Sequence, residues 1–220
     1  MLLKEITLKT KDISVLYNFY RDALQLQVKH PYTNRILIEA GRTTLIFETA
    51  DYDTDPLYHF AFNIPSNKIE EALQWLKNKV ELIFIEDYKS YIAEFIGWHA
   101  RSVYFSDPAG NILELIARSD LDDDPQEAFS SHQICNISEI GIVFPVEEFD
   151  SKTNNLLREF QLNYFPKQPP MKHFRAIGDD DGLLIVVPEH RNWYPTNTPA
   201  GIFPLALKFE NKGVEYKIEL

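Results

Sequence analysis

The chain has 220 residues, of which 45% are apolar and 13% aromatic, and a net charge of −11. That is ample material for a buried core in one domain or two small ones, and the acidic balance argues against nucleic acid and anionic membrane surfaces as partners. A single cysteine, Cys135, excludes a disulfide frame or thiolate metal cluster; no apolar run approaches the ~18 residues of a spanning helix, and the charged opening MLLKEITLKTKD lacks the apolar stretch of a signal peptide, so a cytoplasmic location is expected.

Residues 3–10 alternate, with Ile6 and Leu8 on one face and Glu5, Thr7 and Lys9 on the other, the pattern of a half-buried strand. Asp12 or Ser14 can cap the helix that follows. Its apolar stripe is Leu16, Phe19, Tyr20, Ala23 and Leu24. Strands are expected at 27–30, 35–39 and 43–48, which makes a first β-α-β-β-β unit. An acidic connection at 51–56 precedes a second one. There, 58–64 is a strand with Phe60, Phe62 and Ile64 opposite His59, Ala61 and Asn63. A helix carries Ile69, Ala72, Leu73 and Leu76, a strand is expected at 82–86, and a long loop spans 87–98. The unit closes on a hairpin, 101–105 and 111–117, around Asp-Pro-Ala-Gly-Asn. Pro108 and Gly110 suit the tight turn. Glu114 is an acid inside an otherwise aliphatic strand, a costly place for a carboxylate without a partner.

Residues 119–133 are acidic and polar and read as a linker, with the run 122–124 as its solvated part. The pattern then restarts at 134–144, where Glu139-Ile140 repeats Glu5-Ile6. A helix with Leu156, Leu157 and Phe160 and strands near 162–165, 172–177 and 183–187 complete a third unit. Strands at 203–209 and 214–220 begin a fourth with no room for its helix. The expected fold class is α+β, with repeated βαβββ units forming curved mixed sheets. The expected division is 1–118 as paired units bearing the site, 119–133 as the linker, and 134–220 as the third unit plus a truncated fourth. The repeat fits pairing within one chain and pairing with a second chain as a homodimer.

Glu5, His59 and Glu114 each point away from the helix-packing face of their strands. If the first two units share one curved sheet, an imidazole and two carboxylates converge on its concave side, a donor set for a divalent first-row metal. Simpler readings stand beside this one. Glu114 could pair with Arg101 or Arg118, His59 could be a hydrogen-bonded core histidine, and Glu5 a solvated strand residue. Arg101 could hold an anionic substrate or face solvent. Trp98 and His99 stand where the long loop could cover a site. His190, Trp193 and Tyr194 sit in a Pro-rich loop where surface packing is expected.

Paired βαβββ units, the YHFAF strand and RSVYFSDPAGNILEL resemble the vicinal oxygen chelate superfamily (glyoxalases, bleomycin-resistance proteins, fosfomycin-resistance enzymes, extradiol dioxygenases). The match is good over 1–117 and only in outline over 134–220. It implies the glyoxalase/bleomycin-resistance/dioxygenase-like fold and metal ligands at Glu5, His59 and Glu114. A fourth ligand would come from the last strand of the first unit, where Glu48 is the only acid on the strand. The family commonly has His at the Glu5 position, and a Glu-His-Glu set departs from the two-His, one-carboxylate triad of non-haem iron oxygenases. Mn, Ni, Co or Zn therefore suits it better than Fe. Pro204 stands where His59 would be repeated, so the second half is expected to lack a site. Tyr104 is implied to touch substrate. The expected function is a metal-dependent, glyoxalase-like lyase or isomerase acting on a small substrate with adjacent oxygens, with Glu5 as general base. The alternatives are a metal-free protein that sequesters an antibiotic and a relative of the ring-cleaving dioxygenases.

Overall fold

Alternation of apolar and polar residues produces the strands, and the computed structural model describes them within residues 1–50, 55–121 and 123–220. The acidic connection at 51–56 falls mostly outside these, as does Asp122 of the acidic run. The elements in order are β1 (Leu2–Thr10), α1 (Ile13–Asn18), β2 (Gln27–Tyr32), β3 (Arg35–Ala40), β4 (Thr43–Thr49), β5 (His59–Ile64), α2 (Ile69–Leu76), β6 (Glu81–Leu82), β7 (Ile92–Phe95), β8 (Ala100–Ser106), β9 (Ile112–Arg118), β10 (Asn136–Phe144), α3 (Phe149–Glu159), β11 (Arg175–Asp179), β12 (Gly182–Pro188), β13 (Leu205–Asn211) and β14 (Val214–Glu219). Asp12 caps α1, its Oδ1 accepting from the Ser14 and Val15 amides at 2.8 and 3.2 Å. The helix runs on as a π-helical turn over Phe19–Ala23.

The strands form two sheets. One has the order β14-β13-β1-β4-β3-β2 and the other β11-β12-β10-β5-β9-β8-β6, with β7 pairing on β8. The first unit therefore shares its sheet with the truncated fourth, and the second with the third. β1 runs antiparallel to β13, and β5 antiparallel to β10. The condition for Glu5 to join His59 and Glu114, one sheet shared by units one and two, is therefore not met. A large apolar core takes Leu3, Ile6 and Leu8 from one sheet, Phe60, Phe62, Leu113 and Ile140 from the other, and the helices. The opposite face of the second sheet carries a separate cluster of Tyr104, Ile112, Ile185 and Trp193.

Several elements are shorter than expected. The strand at 82–86 is reduced to Glu81–Leu82 plus a lone bridge between Ile85 and Ser90, and the long loop contains β7. The strand near 162–165 is a single bridge from Tyr164 to Ile177. Segment 123–133 is tied down: Phe129 is buried beside Trp75, and its amide donates to Glu71 Oε2 at 2.8 Å. Among the described residues no helix is long and apolar enough to cross a membrane.

The Asp-Pro-Ala-Gly-Asn turn is an anchor. Asp107 Oδ1 accepts from the amides of Ala109 and Asn111 at 2.9 and 3.0 Å, and Oδ2 from Asn111 Nδ2 at 2.8 Å and Tyr20 Oη at 3.0 Å. Asn111 Oδ1 accepts from the Tyr58 amide at 2.9 Å. One turn thus fastens the β8–β9 hairpin to the first helix and to β5. Burial pushes Asp107 up to about 6. Tyr20→Phe should cost about 1–3 kcal/mol, because it strips one donor from a buried carboxylate. Urea unfolding of the variant checks this, and a loss below about 0.5 kcal/mol would remove Tyr20 from the anchor.

Candidate metal centre

Strand register assembles the candidate site. Ala61 lies opposite Glu114 on β9 and opposite Glu139 on β10, and Tyr104 lies opposite Glu114 on β8. A β-bulge between Ile137 and Glu139 offsets the ladder by one residue, and this is what puts Glu139 on the same face as Ala61. The alanine between the two carboxylates has only a methyl group. His59 is two residues back along β5, on the same face.

His59, Glu114 and Glu139 are buried, and one donor atom from each lies within 4.8 Å of the others. One imidazole nitrogen and two carboxylate oxygens are the donor types that would hold a divalent first-row ion. His59 Nδ1 lies 3.1 Å from the Ile112 carbonyl, which only accepts, so Nδ1 carries the proton and Nε2 the lone pair. A backbone carbonyl behind the second ring nitrogen is the usual support of a metal-binding histidine. Nε2 faces Glu114 Oε2 at 3.8 Å, beyond hydrogen-bond reach. The imidazole lone pair therefore faces a buried carboxyl with no hydrogen bond between them, and a cation between the two fits the donor set. Burial pushes His59 down to about 4, assisted by the charge of Arg191. Burial, then the neighbouring Glu139, pushes Glu114 up to about 8.

Glu139 has a cation of its own. Arg118, fully buried on β9, donates from Nη2 to Glu139 Oε1 and from Nε to Asn63 Oδ1 at 3.2 Å, and its Nη1 lies 3.5 Å from Asp180 Oδ1. Burial raises Glu139 despite Arg118. Among the described residues no lysine or arginine pairs directly with Glu114, which is approached by the Ser102 and Tyr104 hydroxyls and feels Arg118 at longer range.

Above these residues is a cavity of about 250 Å³ walled by Trp98, Tyr104, Phe174, Trp193 and Tyr194. Trp193 lies tilted beside His59, with ring centres 5.3 Å apart. Gly141 makes room for it: a Cβ there would meet Trp193 Cη2 at 2.6 Å. Tyr104 stands 6.5 Å from the His59 ring and 5.7 Å from that of Tyr194. Burial and the charge of Glu114 keep its phenol protonated.

The structure thus brings His59, Glu114, Tyr104 and Trp98 together and leaves Glu5 and Arg101 out. Glu5 is on the other sheet, opposite Lys208, whose Nζ lies 2.8 Å from its Oε1. By register Lys208 occupies the place of Ala61, so an ion pair stands there where the second sheet holds its carboxylates. Arg101 points to the helix side and pairs with Glu70 at 2.6 Å. Glu48 pairs with Lys9 at 2.8 Å. Pro204 precedes β13, and Ala206, opposite Thr7, takes the place of His59. The third unit, expected to lack a site, supplies Glu139 and much of the cavity wall. Trp193 and Tyr194 line the cavity, contrary to the expected surface packing, whereas His190 is exposed. The repeat of Glu5-Ile6 as Glu139-Ile140 was the signal that could have found Glu139.

No protein-family model matches the chain, and no curated protein matches its sequence. Among solved structures it superposes on a candidate dioxygenase from Bacillus subtilis, with a TM-score of 0.60 and 17% identity, over 91% of this chain and 65% of that one. The chain therefore spans slightly less than two thirds of that protein's length. A lactoylglutathione lyase from Agrobacterium tumefaciens aligns with 52% of this chain and 92% of its own, at 20% identity and a TM-score of 0.42. A fosfomycin resistance protein from Listeria monocytogenes aligns with 54% and 90%, at 20% identity and a TM-score of 0.41. The chain has the glyoxalase/bleomycin-resistance/dioxygenase-like fold.

Proposed function

We propose that the protein is a metal-dependent enzyme of the glyoxalase-like type, acting on a small substrate with adjacent oxygens in the aromatic cavity. The observation that carries this reading is the buried convergence of His59 Nε2, Glu114 and Glu139 at the cavity floor. A divalent ion bound there supplies a Lewis acid for oxygens on which charge develops. His59, Glu114 and Glu139 would hold it, with Ile112 fixing the imidazole and Arg118 fixing Glu139.

The remaining chemistry belongs to the side chains. Arg118 commits one oxygen of Glu139, so Glu114 is the carboxylate freer to take a proton from the substrate, the role first expected of Glu5. Tyr104 keeps its phenolic proton, which is shared with Glu114 and can pass instead into a hydrogen bond to a substrate oxygen. Trp98, Phe174, Trp193 and Tyr194 exclude water and favour a flat or apolar body.

Equilibrium dialysis against Mn²⁺, Co²⁺, Ni²⁺, Zn²⁺ and Fe²⁺ tests the reading. About one ion per chain is expected, with affinity reduced at least about tenfold in Glu139→Gln and unchanged in Glu5→Gln. No bound ion, or a loss in Glu5→Gln alone, would overturn it. Tight binding of a cationic antibiotic without metal would favour sequestration instead.

A further inference from the structure

Arg191 stands in the cavity wall. It lies in the loop between β12 and β13, which is pinned by Trp193 N to Thr198 O at 2.9 Å and Ala200 N to Arg191 O at 2.8 Å. The guanidinium is half-buried and packs over Phe174 at 5.2 Å, and Nη1 donates to the Asn192 carbonyl at 3.2 Å. Among the described residues no carboxylate pairs with it, although the chain carries 33 acids against 22 lysines and arginines. Arg118, in contrast, bonds Glu139 and Asn63 and faces Asp180. Arg191 is also near enough to His59 for its charge to help keep the imidazole neutral. Trp193 Nε1, in the same wall, is buried without a hydrogen-bond partner. A largely apolar cavity thus holds an arginine that has no acidic partner among the described residues and only one of its nitrogens bonded, beside a second unused donor. The planar guanidinium fork recognises carboxylates through paired, charge-assisted bonds.

We propose that Arg191 binds a carboxylate of the substrate, so that the cavity selects small apolar or aromatic acids over their neutral counterparts. The inference rests on reading the cavity as a substrate site and deepens that reading. The acid's charged end lies at the Arg191 wall, its body lies among Trp98, Phe174 and Tyr194, and its remaining oxygens reach the floor.

The test uses benzoate and its neutral isostere benzamide as probes, near neutral pH with a chelator present. Binding is read from the fluorescence of Trp98 and Trp193 in the cavity wall. Wild type should bind benzoate about tenfold more tightly than benzamide, the size of one charge-assisted contact. Arg191→Met should bring the two affinities together, and Arg191→Lys should retain part of the preference. Equal affinities in wild type, an undiminished preference in Arg191→Met, or no saturable benzoate binding would each overturn the proposal. If Arg191 only packs on Phe174, the Met variant loses stability and keeps the wild-type ratio, which also counts against it. Because the assay is run on chelated protein, failure of the metal reading leaves its outcome intact. Failure of the anion reading likewise leaves the dialysis result intact.

Discussion

Arg118→Met should destabilise the metal-free protein by about 3–5 kcal/mol, the cost of leaving a buried charge without its partner. For a chain of this length that is on the order of 10 °C in Tm. The guanidinium has no exposed surface and faces Glu139, Asn63 and Asp180 at once. Methionine fills similar volume and offers none of the donors, so Glu139 and the Asn63 oxygen lose their main support. Glu139→Gln in the same chain should recover much of the loss, because the orphaned group is then neutral. Urea unfolding of wild type, both single variants and the double variant checks this as a cycle. Additive effects, or a single-variant loss below about 1 kcal/mol, would mean that the buried pair contributes little to holding β9 and β10 together.

The second expected result concerns pH. Glu114 is pushed from its ordinary 4.5 up to about 8. The folded state therefore holds a proton that the unfolded chain has released, and stability falls as pH rises between these values. His59 works in the opposite sense. Its folded value of about 4 lies below the ordinary 6.5, so its contribution is present above 6.5 and lost as pH falls through 4. The two offset one another on the acid side, and Asp107, pushed up to about 6, is mostly ionised above pH 6.5. Between pH 6.5 and 8 the carboxylates dominate, and the chelated protein should lose about 2 kcal/mol. Bound ligands are deprotonated, so Mn²⁺-loaded protein should not show this decline, and the gap between the two forms should widen toward pH 8. Glu114→Gln should flatten the chelated profile. A decline of equal size in that variant would assign it to other groups.

The fold was legible because it is repeated. Four first strands carry the same alternation, and the Asp-Pro-Ala-Gly-Asn turn marks the end of a unit by a mechanism now visible in the bonds of Asp107. Which units share a sheet was not legible. The pairing depends on contacts between segments far apart in the chain: Arg118 with Glu139 across β9 and β10, and Lys208 with Glu5 across β13 and β1. Periodicity carries no information about such partners. That is why the sequence points to a first-strand glutamate beside His59 and Glu114 but selects Glu5 over its repeat, Glu139. The bulge that turns Glu139 toward the cavity is likewise a feature of pairing. Arg101 was misplaced for a simpler reason, since in a strand buried on both faces the polarity of one residue does not tell which side it faces. Trp193 and Arg191 belong to an irregular loop whose path is set by its own hydrogen bonds and by the room Gly141 leaves.

The central claim is that His59, Glu114 and Glu139 hold one ion together. A crystal of the zinc-loaded protein, with anomalous differences collected at the zinc edge, tests it most directly. The expected map has one strong peak per chain, ~2.0–2.2 Å from His59 Nε2 and from an oxygen of each glutamate. A peak at Glu5, or none within the cavity at full zinc occupancy elsewhere, would contradict it.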